Sequence, residues 1–77
     1  MPTLLNRNGF KFFFYANEHL PKHVHVLYGG RWAKIELGTL RVAYSTLKAN
    51  ELATCLAIAG EYNAFFEEKW NEWFPHR

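Results

Sequence analysis

The chain contains no aspartate; its seven acidic residues are all glutamate. Catalytic schemes that need an aspartate are thereby excluded. Cysteine occurs once, as Cys55. A lone thiol forms no internal disulfide and cannot build a closed, cysteine-rich zinc site; it fits a reducing cytoplasm. No apolar run approaches the ~20 residues of a membrane span. The amino terminus shows no basic segment leading into an apolar stretch, so no signal peptide is expected. The net charge of +2, with histidines neutral, is too mild to predict nucleic-acid binding as a strongly basic chain would. No linker, internal repeat or low-complexity segment interrupts the 77 residues, which allow one domain, 1–77, with one modest core.

What is abundant is aromatic. Phenylalanine, tryptophan and tyrosine make up 18% of the chain, and such rings let a short chain bury a large area. The organising stretch is Pro21 to Leu37, PKHVHVLYGGRWAKIEL. Two β-prone runs flank Gly29-Gly30, and a Gly-Gly loop suits the positive φ of primed hairpin turns. That register sets Tyr28 opposite Arg31, Leu27 opposite Trp32, Val26 opposite Ala33, His25 opposite Lys34, Val24 opposite Ile35 and His23 opposite Glu36. Alternation then gives a core face of Val24, Val26, Ala33, Ile35 and Leu37, with Tyr28 at its end. The second face holds His23, His25, Lys34 and Glu36, with Leu27 and Trp32 near the turn. A slip of one residue would exchange the two faces wholesale.

Upstream, Pro2 to Leu5 suggests a short strand, and Asn8-Gly9 is a turn dipeptide. In FKFFFY, Phe10, Phe12 and Phe14 share one side, the expected core side. Lys11, Phe13 and Tyr15 share the other, extending the histidine face. Ala16 to Lys22 is a polar connection. Downstream, Gly38 ends the hairpin, and Thr39 to Tyr44 reads as a short edge strand with Arg41 outward. From Ala49 the period becomes helical: Leu52, Cys55, Leu56, Ala59, Tyr62, Phe66, Trp70 and Trp73 recur every three or four residues. Gly60 interrupts the stripe and Asn63 is a candidate N-cap. Two helices follow, about 49–59 and 64–74, with one bent helix as the alternative. The expected fold is α+β: an antiparallel sheet of three or four strands, one face covered by two carboxy-terminal helices. One stripe cannot aim Phe65, Phe66, Trp70, Trp73 and Phe74 at a single core, so Phe65 or Trp73 is expected outside it.

With these residues laid out, Pro2-Thr3, FFFY, Asn17-Glu18, Pro21, His23-Val24-His25-Val26, Ala33-Lys34, Glu51-Leu52 and Trp70-x-Glu72-x-Phe74 together resemble a family of short bacterial and archaeal proteins, domain of unknown function 4160. The resemblance covers nearly the whole chain and is most specific from Glu18 to Lys34. The chain departs where the family tends to show Ser-Pro and Lys48-Ala49 stand instead, which leaves that helix boundary open. The resemblance implies a small bacterial protein of the sort that looks like one half of a toxin–antitoxin-type gene pair. It assigns no activity; it adds weight to Glu18, His23, His25 and Lys34.

Three chemistries fit the second face. His23 and His25, two apart on a strand, aim imidazoles the same way, roughly 6–7 Å apart at the backbone. That suits two ligands of zinc, with Glu18, His19 or Glu36 as further donors; two solvated histidines are the bland counterpart. Histidines titrating near neutrality also suit RNA cleavage, with His23, His25 and Lys34 as catalytic candidates. Lys34, Arg41 or Arg31 would hold phosphate, and Trp32, Phe13 or Tyr15 would stack a base, with or without chemistry. Third, an open face with Trp32, Leu27 and Phe13 suits a protein partner or a second copy. The binding face is Phe13, Tyr15, Glu18, His23, His25, Trp32, Lys34, Glu36 and Arg41. The expectation is an interaction module of a toxin–antitoxin-type pair, the rival a histidine-dependent RNA-binding, RNA-cleaving or metal-binding protein. Whether it is an enzyme stays open. Cys55 reads as a small buried hydrophobe.

Overall fold

A computed structural model describes residues 3–76; Pro2, part of the expected first strand, lies outside the described residues. Strand β1 (Thr3–Arg7) turns through Asn8-Gly9 into β2 (Phe10–Phe13). The hairpin strands are β3 (His23–Tyr28) and β4 (Arg31–Glu36), followed by β5 (Val42–Ser45), α1 (Ala49–Glu61) and α2 (Asn63–Trp73). The sheet is antiparallel throughout, in the order β1-β2-β3-β4-β5. It therefore has five strands, where three or four were expected, because β1 pairs with β2 and β5 with β4, each across one register shift.

The central register is the one that Gly29-Gly30 dictates, from Tyr28 opposite Arg31 to His23 opposite Glu36. Gly29 has φ +60°, the left-handed backbone that glycine enters without a Cβ clash. The first turn works the same way, with Asn8 at φ +52° and Gly9 at +85°. A Cβ on Gly9 would stand 3.1 Å from the Tyr28 ring.

The core forms where alternation on the strands meets the helical stripe. Phe10, Phe12, Phe14, Val24, Val26, Ala33, Ile35 and Leu37 are buried against Cys55, Ile58, Ala59, Phe66, Trp70 and Phe74. Phe12 stacks on Phe66 with centroids 5.3 Å apart, and Phe14 meets Trp70 edge-on at 5.5 Å. Phe65 and Trp73 are both exposed.

The helical region is two helices, but Gly60 does not divide them. It lies within α1, and the Leu40 side chain comes 3.3 Å from where its Cβ would stand. Glycine admits that contact from the β4–β5 loop. The break falls at Tyr62 (φ −105°, ψ 14°). Asn63 is not the N-cap; it is the first residue of α2, and its Oδ1 accepts the Gly38 N–H at 2.8 Å. At the other boundary α1 begins at Ala49, and the Glu51 carboxylate accepts the Lys48 N–H at 2.9 Å. That satisfies one of the donors a helix start leaves unpaired. No helix among the described residues is long and apolar enough to cross a membrane.

Candidate functional site

The face of the sheet away from the helices is built row by row by cross-strand pairing. One row runs Asn6, Lys11, Leu27, Trp32; the next runs Thr3, Phe13, His25, Lys34, Tyr44. Leu27 (39% exposed), Trp32 (41%) and Tyr44 (49%) form its apolar part. Trp32 and Tyr44 lie against each other with centroids 4.6 Å apart. Tyr44, on β5, was not singled out by sequence; only the β4–β5 register places it beside Trp32. The Lys11 ammonium lies 5.9 Å from the Phe13 ring centroid. Among the described residues neither Lys11 nor Lys34 forms an ion pair.

At the other end of this face the two histidines are not solvated. His23 is 3% exposed, His25 7% and Glu18 5%. The connection 14–22 folds back over the start of β3 and brings Glu18 between the rings. Glu18 Oε1 lies 2.9 Å from Nε2 of His23, and Oε2 lies 2.9 Å from Nε2 of His25. Oε2 also accepts the Tyr15 N–H at 3.0 Å. Nδ1 of His23 faces the carbonyl oxygen of Pro21 at 2.8 Å, Pro21 itself following a cis peptide bond. The Tyr15 ring covers His25 at 4.2 Å, Phe13 lies beside Tyr15 and stacks with His25 at 5.7 Å, and Trp70 meets His23 at 5.2 Å.

His25 is the odd member. Its Nε2 is near Oε2 of Glu18 but off the line of a hydrogen bond, so among the described residues both ring nitrogens are buried without a hydrogen-bond partner. Burial pushes its pKa below the ordinary histidine value, against the opposing pull of the Glu18 charge. The described residues enclose no pocket beside these rings. The donor atoms of Glu18, His23 and His25 all lie within 4.8 Å of one another. His19, another candidate donor, is exposed.

The cations proposed for phosphate are partly spoken for. Arg31 donates from Nε and Nη2 to Glu51 at 2.8 and 2.6 Å, tying the hairpin turn to the start of α1. These bonds and the Lys48 N–H hold the Glu51 carboxyl down at about 2. Arg41 precedes β5, points outward and donates to Glu36 from Nε at 2.8 Å. That contact lowers the Glu36 pKa and raises that of Arg41. Of the cations first considered, Lys34 alone remains without an acidic partner among the described residues. Glu36 is paired with Arg41 and, although opposite His23 in the register, is not one of the donors grouped with Glu18.

Fold and site together define a class: a small α+β domain, a five-stranded meander backed by two helices, with a buried carboxylate between two histidines at one end of its uncovered face. The chain belongs to the family described as Domain of unknown function (DUF4160), whose model matches residues 9–71. No curated protein and no solved structure matches the chain.

Proposed function

We propose that the protein is an interaction module whose uncovered sheet face docks a partner protein, as in toxin–antitoxin-type pairs. The observation that carries this reading is the exposed patch of Leu27, Trp32 and Tyr44, flanked by Lys11 and Lys34, which form no ion pair among the described residues. Apolar groups grouped on a rigid sheet are the kind of surface a partner covers, and tryptophan and tyrosine are common anchors of such contacts. The lysines select the partner's chemistry: a surface with apolar groups rimmed by carboxylates. Glu36 does not oppose this, because Arg41 neutralises it. Likeness to one half of paired genes favours a protein encoded alongside this one.

A single strand of RNA is the rival occupant, since the same aromatics stack bases and the same lysines meet phosphates. It rests on these surface groups more than on imidazole acid–base chemistry, because His23 and His25 are buried beside no pocket.

The test is a pull-down of tagged protein from its own cells, with protein and nucleic acid both analysed. A stoichiometric acidic protein is expected. Trp32→Ala should weaken its binding about 30-fold, the effect of losing an anchor of ~2 kcal/mol, and Phe65→Ala on the helix side should leave it unchanged. Recovery of RNA without protein, or equal binding by Trp32→Ala, would overturn the reading.

A further inference from the structure

His23 presents a problem of proton counting. Each of its ring nitrogens faces an oxygen that can only accept: Nδ1 the Pro21 carbonyl at 2.8 Å, Nε2 the Glu18 carboxylate at 2.9 Å. A neutral imidazole carries one N–H, so it satisfies one contact and turns a lone pair toward the other oxygen. The contact with Glu18 therefore needs a proton between ring and carboxyl, or a metal ion in its place. His25 poses the complementary problem: among the described residues its buried Nδ1 has no hydrogen-bond partner and its Nε2 meets only Glu18 Oε2, at 2.9 Å and poorly aligned, although buried polar groups are ordinarily satisfied.

We infer that Glu18, His23 and His25 form a binding site for a divalent transition metal of the zinc type. The inference is independent of the docking reading. A metal answers the first problem and, at Nε2, half of the second; Nδ1 of His25 stays unpaired among the described residues. With Nδ1–H of His23 donating to the Pro21 carbonyl, Nε2 is left as the bare nitrogen, and an outer-shell carbonyl of this sort is the usual means of orienting a metal-bound histidine. Nε2 of His25 gains the partner it lacks. The Glu18 carboxylate supplies the third donor and offsets the ion's charge within a buried site. Two imidazoles and one carboxylate are a familiar donor set for zinc with an open fourth position.

The spacing allows it with movement of side chains. Donors about 2.0–2.1 Å from a tetrahedral ion stand roughly 3.4 Å from each other, against 2.9 Å between Glu18 and each Nε2. The two histidines are fixed on β3, whereas Glu18 sits on the 14–22 connection. The 2.9 Å contacts use two different Glu18 oxygens, and the donor set spans up to 4.8 Å, so loading draws the carboxylate back from between the rings and turns the imidazoles toward the ion. The exposed Tyr15 ring over His25 is the lid an entering ion must pass.

The experiment is a Co²⁺ titration of chelator-stripped full chain, followed by the visible d–d absorption, with Zn²⁺ competition. Saturation near one equivalent, bands of a four- or five-coordinate ion and reversal by Zn²⁺ are expected. His25→Gln should abolish the bands, whereas His19→Gln, an exposed neighbour, should leave them unchanged. ¹⁵N spectra of the wild-type imidazoles provide a reading that no variant's folding can confound. On adding Zn²⁺, His23 should keep its proton on Nδ1 and show a metal-shifted Nε2. Absence of saturable cobalt bands, retention of them by a folded His25→Gln chain, or an imidazolium at His23 unmoved by Zn²⁺ would overturn the inference in favour of a proton in the metal's place.

Discussion

Removing the Glu18 carboxylate is the sharpest perturbation of the cluster. In Glu18→Ala the Tyr15 N–H loses its acceptor at 3.0 Å and Nε2 of His23 loses its partner at 2.9 Å. Hydrogen bonds to a charged group contribute about 1.5–3 kcal/mol each, and breaking a buried pair costs about 3–5 kcal/mol. The cluster lies under a connection rather than in the centre of the core, so water can reach the vacated space. The loss should fall near the lower end, about 3 kcal/mol. For a chain of this size each kcal/mol moves Tm by about 4–8 °C, so the midpoint should drop by roughly 12–24 °C. Total stability at ~0.05–0.15 kcal/mol per residue is only about 4–12 kcal/mol, so the variant should be visibly marginal. Urea unfolding and calorimetry, both in chelator so that metal contributes nothing, give the two numbers. Glu18→Gln keeps an acceptor for Tyr15 and one donor for an imidazole, and should lose about half as much. A loss under ~1 kcal/mol for Glu18→Ala would show that the carboxylate is solvated and that the connection is not held through it.

Other expectations concern the frame. Glu51 titrates at about 2 in the fold against an ordinary 4.5; its folded pKa is depressed, so its stabilising contribution is complete above 4.5 and is lost as pH falls from there toward 2. Arg31→Met should flatten that part of the acid-unfolding curve, and an unchanged curve would count against the Arg31–Glu51 link. Gly9→Ala meets both a φ of +85° and the Tyr28 ring at 3.1 Å, while Gly29→Ala meets only the φ of +60°. The first should destabilise by about 1–2 kcal/mol and more than the second; the reverse order in urea would refute the packing argument at Gly9. Burial pushes the Cys55 thiol up to about 11. A thiol reagent at neutral pH should therefore label it only as fast as the chain opens, and an immediate stoichiometric reaction would contradict its placement.

The central hairpin was readable because two independent signals coincide: the Gly29-Gly30 turn fixes the register, and alternation of Val24, Val26, Ala33 and Ile35 checks it. The helical stripe was readable for the same reason of period. Glu18 was a candidate ligand, but its position between the rings was not readable. It lies in an aperiodic connection, where only the folded path of residues 14–22 decides which way a side chain points. For that reason the histidines, polar by type, could look solvated. The helix break was displaced because glycine has two uses. At Gly60 the absence of a Cβ serves close contact with Leu40, a loop residue at φ +61°, and not termination. Asn63 likewise has two uses, and its amide serves Gly38 instead of its own helix.

The strand order follows the chain with no crossover, so every pairing closes over a short span and costs little loop entropy. Among the strand connections the longest is 14–22, and it joins β2 to the hairpin. Glu18 lies on this span and holds His23 and His25 at the start of β3. In mechanical terms the cluster is a clasp on the slackest strand connection of the meander. A clasp that fastens only after the strands have met is absent from the folding transition state. Its opening would then speed unfolding and leave the rate of folding almost untouched, and a metal ion held there would act chiefly by lengthening the life of the folded state.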